Sequence, residues 1–329
     1  MTADKKVSCI PLWGEKPYHS LDFMLRERFG EKVYKVTLNG GMSCPNRDGT
    51  LGSGGCIFCS AGGSGDFAAD ASATVTEQID AQIRMLSQKR PIRKYIAYFQ
   101  AYTNTYGPVD YLRRIFTEAV SHPSVVALSI GTRPDCLGEE VLALLEECSQ
   151  LKPVWVELGL QTIHERTAAY IRRGYPLSCF EKAVSELRHR DIEVIVHTIL
   201  GLPGETKADV LATIRYLNEQ KIQGIKLQLL HILSGTDLAA DYAAGRFPAL
   251  ERKEYLSLVI SCLEHLDPDI VIHRVTGDGP KELLIAPLWA SRKREVLNLL
   301  HHEMKVQEAY QGKLFQKQEG LHGSTLYNV

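Results

Sequence analysis

The sequence predicts an α/β fold: a parallel sheet closed partly or fully into a β/α barrel, with a C-terminal α/β extension. Three observations lead there. Short β-branched or aromatic runs alternate with amphipathic segments at helical spacing. Each amphipathic segment is followed within a few residues by the next strand-like run, as parallel strands with right-handed crossovers require. Six or seven such units follow one another within 329 residues, which suits a barrel better than a flat doubly wound sheet.

In chain order, the predicted strands are YKVTLN (34–39), KYIAYFQ (94–100), VVALSIG (125–131), VWVELGL (154–160), EVIVHTILG (193–201), IKLQLLHIL (225–233) and DIVIHRV (269–275). The predicted helices between them are 76–88, 109–120, 138–150, 178–190 and 207–220. Beyond about residue 235 the alternation loosens into GTDLAADYAAGRFPAL, a helix near 251–266, a strand, and a helical region 281–310. This divides the chain into a core barrel with its N-terminal segment (1–235) and a C-terminal extension (236–329). In such folds ligands sit at the C-terminal ends of the strands.

A formal net charge of −1 gives no global attraction to nucleic acid or membrane, so any polyanion must be met by local patches. No apolar run reaches the length of a membrane span, and the N-terminus carries no signal-peptide pattern. The expected location is the reducing cytoplasm. There, spaced cysteines point to metal or catalysis more than to disulfides. Of eight cysteines, Cys9, Cys136, Cys148, Cys179 and Cys262 lie scattered among apolar or helical neighbours and read as small buried hydrophobes.

The other three are concentrated in CPNRDGTLGSGGCIFCSAGG, just after the first strand. Eleven residues separate Cys44 from Cys56, and two separate Cys56 from Cys59. Thiolates are soft ligands for zinc or iron–sulfur clusters. A structural zinc wants four closed ligands, and the loop holds no histidine to complete the set. A chance group of free thiols is the other bland reading. Three cysteines also suit a four-iron cluster with one iron left open for chemistry, since electron-transfer clusters use four.

This Cys-x11-Cys-x2-Cys loop resembles the cluster loop of radical S-adenosylmethionine (SAM) enzymes, in an elongated form like that of the Elongator catalytic subunit. From about Tyr18 to Met304 the chain is similar to the YhcC/YtqA-like (MnmL-type) family of that superfamily. The resemblance implies a 4Fe-4S cluster on Cys44, Cys56 and Cys59, with SAM as the second cofactor. It also implies an external one-electron donor such as flavodoxin or ferredoxin.

SAM contacts are implied at successive strand ends. FQAYTNTYGP (99–108) offers Gln100 and Asn104 where many relatives place a Gly-Gly-Glu turn; a polar strand end packed by Tyr102 and Tyr106 is the plain alternative. SIGTRPD (129–135) offers Arg133 as a carboxylate fork, or as a surface salt bridge. VELGLQT (156–162) offers Glu157 for ribose hydroxyls and Gln161 for an amide contact. In HTILGLPGET (197–206), Gly201 brings backbone near the adenine, while Glu205 and Thr206 read as a helix cap. His197 is equally well a core histidine. No catalytic acid or base stands out; Tyr102, His197 and His231 are the candidates.

The implied substrate is tRNA. Basic groups at RMLSQKRPIRK (84–94), at Arg166, Arg172, Arg173, Arg188 and Arg190, and at SRKR (291–294) could meet phosphates, or could be solvated helix faces. The resemblance implies modification of the C5 side chain of wobble uridine, converting 5-carboxymethylaminomethyl-uridine to 5-aminomethyl-uridine, with a separate tRNA methyltransferase acting afterwards. The competing expectation is a radical SAM enzyme for a small metabolite or peptide.

Overall fold

The computed structural model describes residues 10–316, apart from 64, 66–67, 89–91 and 278. The elements in order are α1 (Leu21–Phe29), β1 (Val33–Leu38), α2 (Val75–Ser87), β2 (Lys94–Phe99), α3 (Val109–Ser121), β3 (Val125–Thr132), α4 (Glu139–Ser149), β4 (Val154–Gln161), α5 (Glu165–Tyr170), α6 (Leu177–His189), β5 (Glu193–Leu200), α7 (Lys207–Glu219), β6 (Gly224–Leu229), β7 (Ile232–Leu233), α8 (Asp237–Ala243), α9 (Arg252–His265), β8 (Val271–Arg274), β9 (Leu284–Ala286) and α10 (Lys293–Val306). Short 3-10 turns cover Pro134–Cys136 and Leu288–Ser291.

Local chemistry sets these boundaries. Thr74 and Thr206 each accept from the third residue of the following helix while Glu77 and Asp209 bond back, closing capping boxes at α2 and α7. Pro108 and Pro176 precede α3 and α6, where a missing N–H is harmless.

Seven strands pair in parallel in the order β1-β2-β3-β4-β5-β6-β8. The order follows the chain, and the sheet curls into a half-barrel. The outer edge of β8 is covered where the Ile272 N–H donates to His19 O at 2.7 Å. Side chains alternate across the sheet. Val36, Phe99, Ile130, Val156, Val196 and Leu227 face outward and bury against the helices. Inside, Val33, Ile96, Ala127, Trp155 and Ile195 form an apolar floor that Leu25 of α1 seals from below.

Two sequence expectations need correction. The predicted strand 225–233 is broken: β6 ends at Leu229, and Ile232–Leu233 leaves the sheet to pair antiparallel with β9. The run is apolar throughout, so periodicity could not show the break. The expected helical region 281–310 begins instead with β9 and a 3-10 turn, and only Lys293–Val306 is α-helical. Pro280 and Pro287, before and inside that stretch, carry no N–H to continue a helix. Three short helices, α1, α5 and α8, were not anticipated.

Candidate active site

A cavity of about 280 Å³ opens at the C-terminal ends of the strands. Cys44, Cys56 and Cys59 all border it. Their loop is anchored at both faces. Ile57 is buried in a small apolar cluster with Ile171, Ile199 and Leu238. Its N–H donates to Ile171 O at 3.3 Å and its carbonyl accepts from the Leu238 N–H at 2.9 Å. Arg47 threads the loop, donating to Ser60 O at 2.5 Å and Cys59 O at 3.2 Å.

Asn46 links loop to barrel: its Nδ2 donates to Arg172 O at 2.7 Å and to Cys56 Sγ at 3.4 Å. The Cys59 thiol donates to Cys56, which pulls Cys56 down to about 7 while the same bond and burial push Cys59 up. Asn46 and the nearby Arg133 and Arg47 charges add to the pull on Cys56. Among the described residues, no three His, Cys, Asp or Glu side chains are drawn together in a way that could hold a metal ion.

Arg133 follows β3 and is 8% exposed. Its fork is occupied by its own neighbour, with Nε to Asp135 Oδ1 at 2.9 Å and Nη2 to Oδ2 at 2.7 Å. Nη1 donates to Arg173 O at 3.0 Å, and the guanidinium lies 5.0 Å from the Tyr175 ring centre. The expected surface salt bridge is thus replaced by a buried clamp. Arg173, read from sequence as part of a basic patch, is 2% exposed and bonded to the carbonyls of Thr162 and Tyr175. Gly174 permits this approach: its φ is +83°, and a Cβ there would sit 2.6 Å from Asn46 Oδ1.

Deeper in the cavity, each strand contributes one polar residue at the same level. Glu157, from β4, is 1% exposed and occupies the centre. Oε1 accepts from Lys35 Nζ at 2.6 Å and Ser129 Oγ at 2.7 Å. Oε2 accepts from His197 Nε2 at 2.8 Å and from Lys226 Nζ. Lys226 also donates to Tyr98 OH at 3.2 Å. Although burial opposes it, the Lys226 and Lys35 charges hold the Glu157 carboxyl well below the usual range. Burial and Lys226 together lower His197 to about 4, so it is neutral near pH 7.

Of the residues expected to contact SAM, Gln100, Arg133, Glu157 and Gln161 border this cavity. So do Tyr102, His197 and His231. Two others do not. Asn104 is fully buried, its amide tying Phe99 O to Gly131 O. Gly201 turns with φ +89° beneath Leu250. Thr206 caps α7 as expected, but Glu205 instead accepts from Thr162 Oγ1 at 2.5 Å. Tyr102 and Gln161 hold left-handed backbone, φ 59° and 68°, a conformation that clusters at functional sites. Sequence reading missed Lys35, Tyr98, Lys226 and Arg274, although Lys226 and Gln228 alternate with leucine and isoleucine in β6. That alternation was the available signal.

The fold and the cysteine-lined cavity define an enzyme of the radical SAM superfamily, and the chain belongs to it. It matches the Radical SAM superfamily model over residues 48–217 and the Radical_SAM C-terminal domain model over residues 222–306. YtqA of Bacillus subtilis is 46% identical over 305 residues, covering 93% of this chain and 95% of that protein. A tRNA uridine(34) acetyltransferase of Dehalococcoides mccartyi is 27% identical over 55% of this chain and 40% of its own length. The structure of Methanocaldococcus infernus Elp3 lacking residues 1–46 superposes with a TM-score of 0.64 at 16% identity, covering 85% of this chain and 64% of that one. Membership implies a 4Fe-4S cluster and SAM. Among the described residues, no helix is long and apolar enough to cross a membrane.

Proposed function

We propose that this enzyme modifies the C5 side chain of tRNA wobble uridine, in a step of the 5-carboxymethylaminomethyl- to 5-aminomethyl-uridine type. The observation that carries the reading is the likeness, across the radical core, to an enzyme named for tRNA uridine 34. The cavity is compatible with it, because an extruded base can enter without a duplex being opened.

The donor set fits the implied cluster: three thiols border one cavity, and one of them is already held partly ionised. Cys44, Cys56 and Cys59 would hold it. When bound, the cluster and SAM supply one-electron cleavage of a carbon–sulfur bond, generating a hydrogen-abstracting radical. The chain's own residues orient and protect. Arg133 is locked by Asp135 and Tyr175, so it presents a fixed charge beside the cysteine loop. Gln161 Oε1 is buried without a protein partner, which leaves an acceptor for a cofactor donor. Ile171, Ile199, Leu230 and Leu233 form an apolar wall that excludes water from the reacting atoms.

The tRNA would approach over exposed cations. Arg84, Arg93, Arg166 and Arg188 are exposed, whereas Arg173 is buried and Arg190 is engaged by Glu139 and Glu186. An external flavodoxin- or ferredoxin-like donor would deliver the electron, and a separate methyltransferase would act on the product. The test is mass spectrometry of tRNA nucleosides from cells lacking this protein. The carboxymethylaminomethyl nucleoside should accumulate and the aminomethyl-derived nucleosides should disappear. An unchanged wobble-uridine profile overturns the proposal in favour of a small-molecule or peptide substrate.

A further inference from the structure

The charged layer beneath the cysteine loop is unbalanced. Lys35, Lys226 and Arg274 bring three cations to this level of the half-barrel. Among the described residues, the only carboxylate there is Glu157, already shared by four protein donors. His197 adds no charge near neutrality, and Tyr98 and Ser129 are neutral. From below nothing can compensate, because the floor is apolar and sealed by α1. The open side is the cavity, which Lys226 and Arg274 both border. Lys226 is 4% exposed, and a buried ammonium is costly unless paired.

We infer that this layer is a carboxylate subsite: Lys226 and Arg274, backed by Lys35, receive an anionic group carried on a thin arm of the substrate. The inference rests on the proposed substrate class and deepens it, since the carboxymethylamino arm of the modified uridine ends in such a group. Reach favours an arm over an RNA phosphate. Glu157 lies four residues before Gln161 at the rim, about 13 Å along an extended strand. A backbone phosphate held outside the rim cannot descend that far, and a slender side chain can.

The test uses the full, reconstituted chain with SAM present and measures binding of N-benzylglycine against benzylamine. The glycine derivative should bind about tenfold more tightly, as a charge-assisted contact implies. Lys226→Met should erase that preference, and so should Arg274→Gln, a half-buried position whose replacement is the safer variant if Lys226→Met fails to fold. Equal binding of the two compounds to the wild type overturns the inference. So does a loss of SAM affinity in the variants with the carboxylate preference intact, which would assign the cations to the cofactor. RNA hairpins carrying carboxymethylaminomethyl- or aminomethyl-uridine separate the two levels. A preference for the former that vanishes in the variants supports the subsite on RNA. Failure of every hairpin to bind, with the N-benzylglycine preference retained, removes tRNA as the substrate and leaves the subsite standing.

Discussion

The ammonium of Lys35 on β1 meets the carboxylate of Glu157 on β4 at 2.6 Å, across the inside of the half-barrel and past two intervening strands. In a flat sheet, strands three positions apart stand about 14 Å from each other. Curvature and the reach of the lysine close that gap, so the contact ties the first half of the sheet to its middle. Lys226 approaches the same carboxylate from β6, two strands away on the other side.

Glu157→Gln should therefore destabilise the protein by about 3–5 kcal/mol, the usual cost of removing one member of a buried ion pair and leaving the other uncompensated. Urea unfolding followed by circular dichroism measures it. A loss below about 1 kcal/mol, the size of an exposed pair, would mean that the lysines do not depend on this carboxylate.

His197 gives the layer an acid sensitivity of known sign. Its folded value, about 4, lies below the ordinary 6.5, so the unfolded chain takes up the proton first. The stability this neutral imidazole contributes is complete above pH 6.5 and falls away as pH drops toward 4, by at most about 3 kcal/mol. Unfolding curves between pH 7 and 4 should be steeper in pH for the wild type than for His197→Gln. Parallel curves would contradict the burial assigned to the ring.

Gly174→Ala should perturb the cysteine loop from outside it. The added methyl would displace Asn46, the residue that donates to Cys56 Sγ, and would crowd Arg133 Nη2 at 3.3 Å. Left-handed strain adds about 1–3 kcal/mol. The variant should melt lower and retain less iron after anaerobic reconstitution. Wild-type iron content with a wild-type melting curve would show that Asn46 does not position the loop.

Much of this arrangement could be read from the residues, and the failures have physical causes. All seven sheet strands were legible because each apolar run was bounded by a helix of clear period. The cysteine spacing located the loop, and the strand-end rule located the cavity. What pattern could not give was which polar side chains find one another across the barrel. Arg133 was read as exposed because nothing in Thr-Arg-Pro-Asp announces that Asp135 folds back onto it. Glu157 was matched to ribose hydroxyls, yet its oxygens already hold Lys35 and Lys226, partners that lie 122 and 69 residues away in the chain. Asn104 sat in a polar stretch and turned out to bridge two strands.

The most direct measurement is reductive SAM cleavage by the anaerobically reconstituted chain, read as 5′-deoxyadenosine released and paired with iron and sulfide analysis. The wild type should carry about four irons and four sulfides and form 5′-deoxyadenosine, and Cys44→Ala, Cys56→Ala and Cys59→Ala should each abolish it. Zinc without iron, or 5′-deoxyadenosine formation persisting in any of the three variants, would contradict the assignment of these cysteines to a SAM-cleaving cluster.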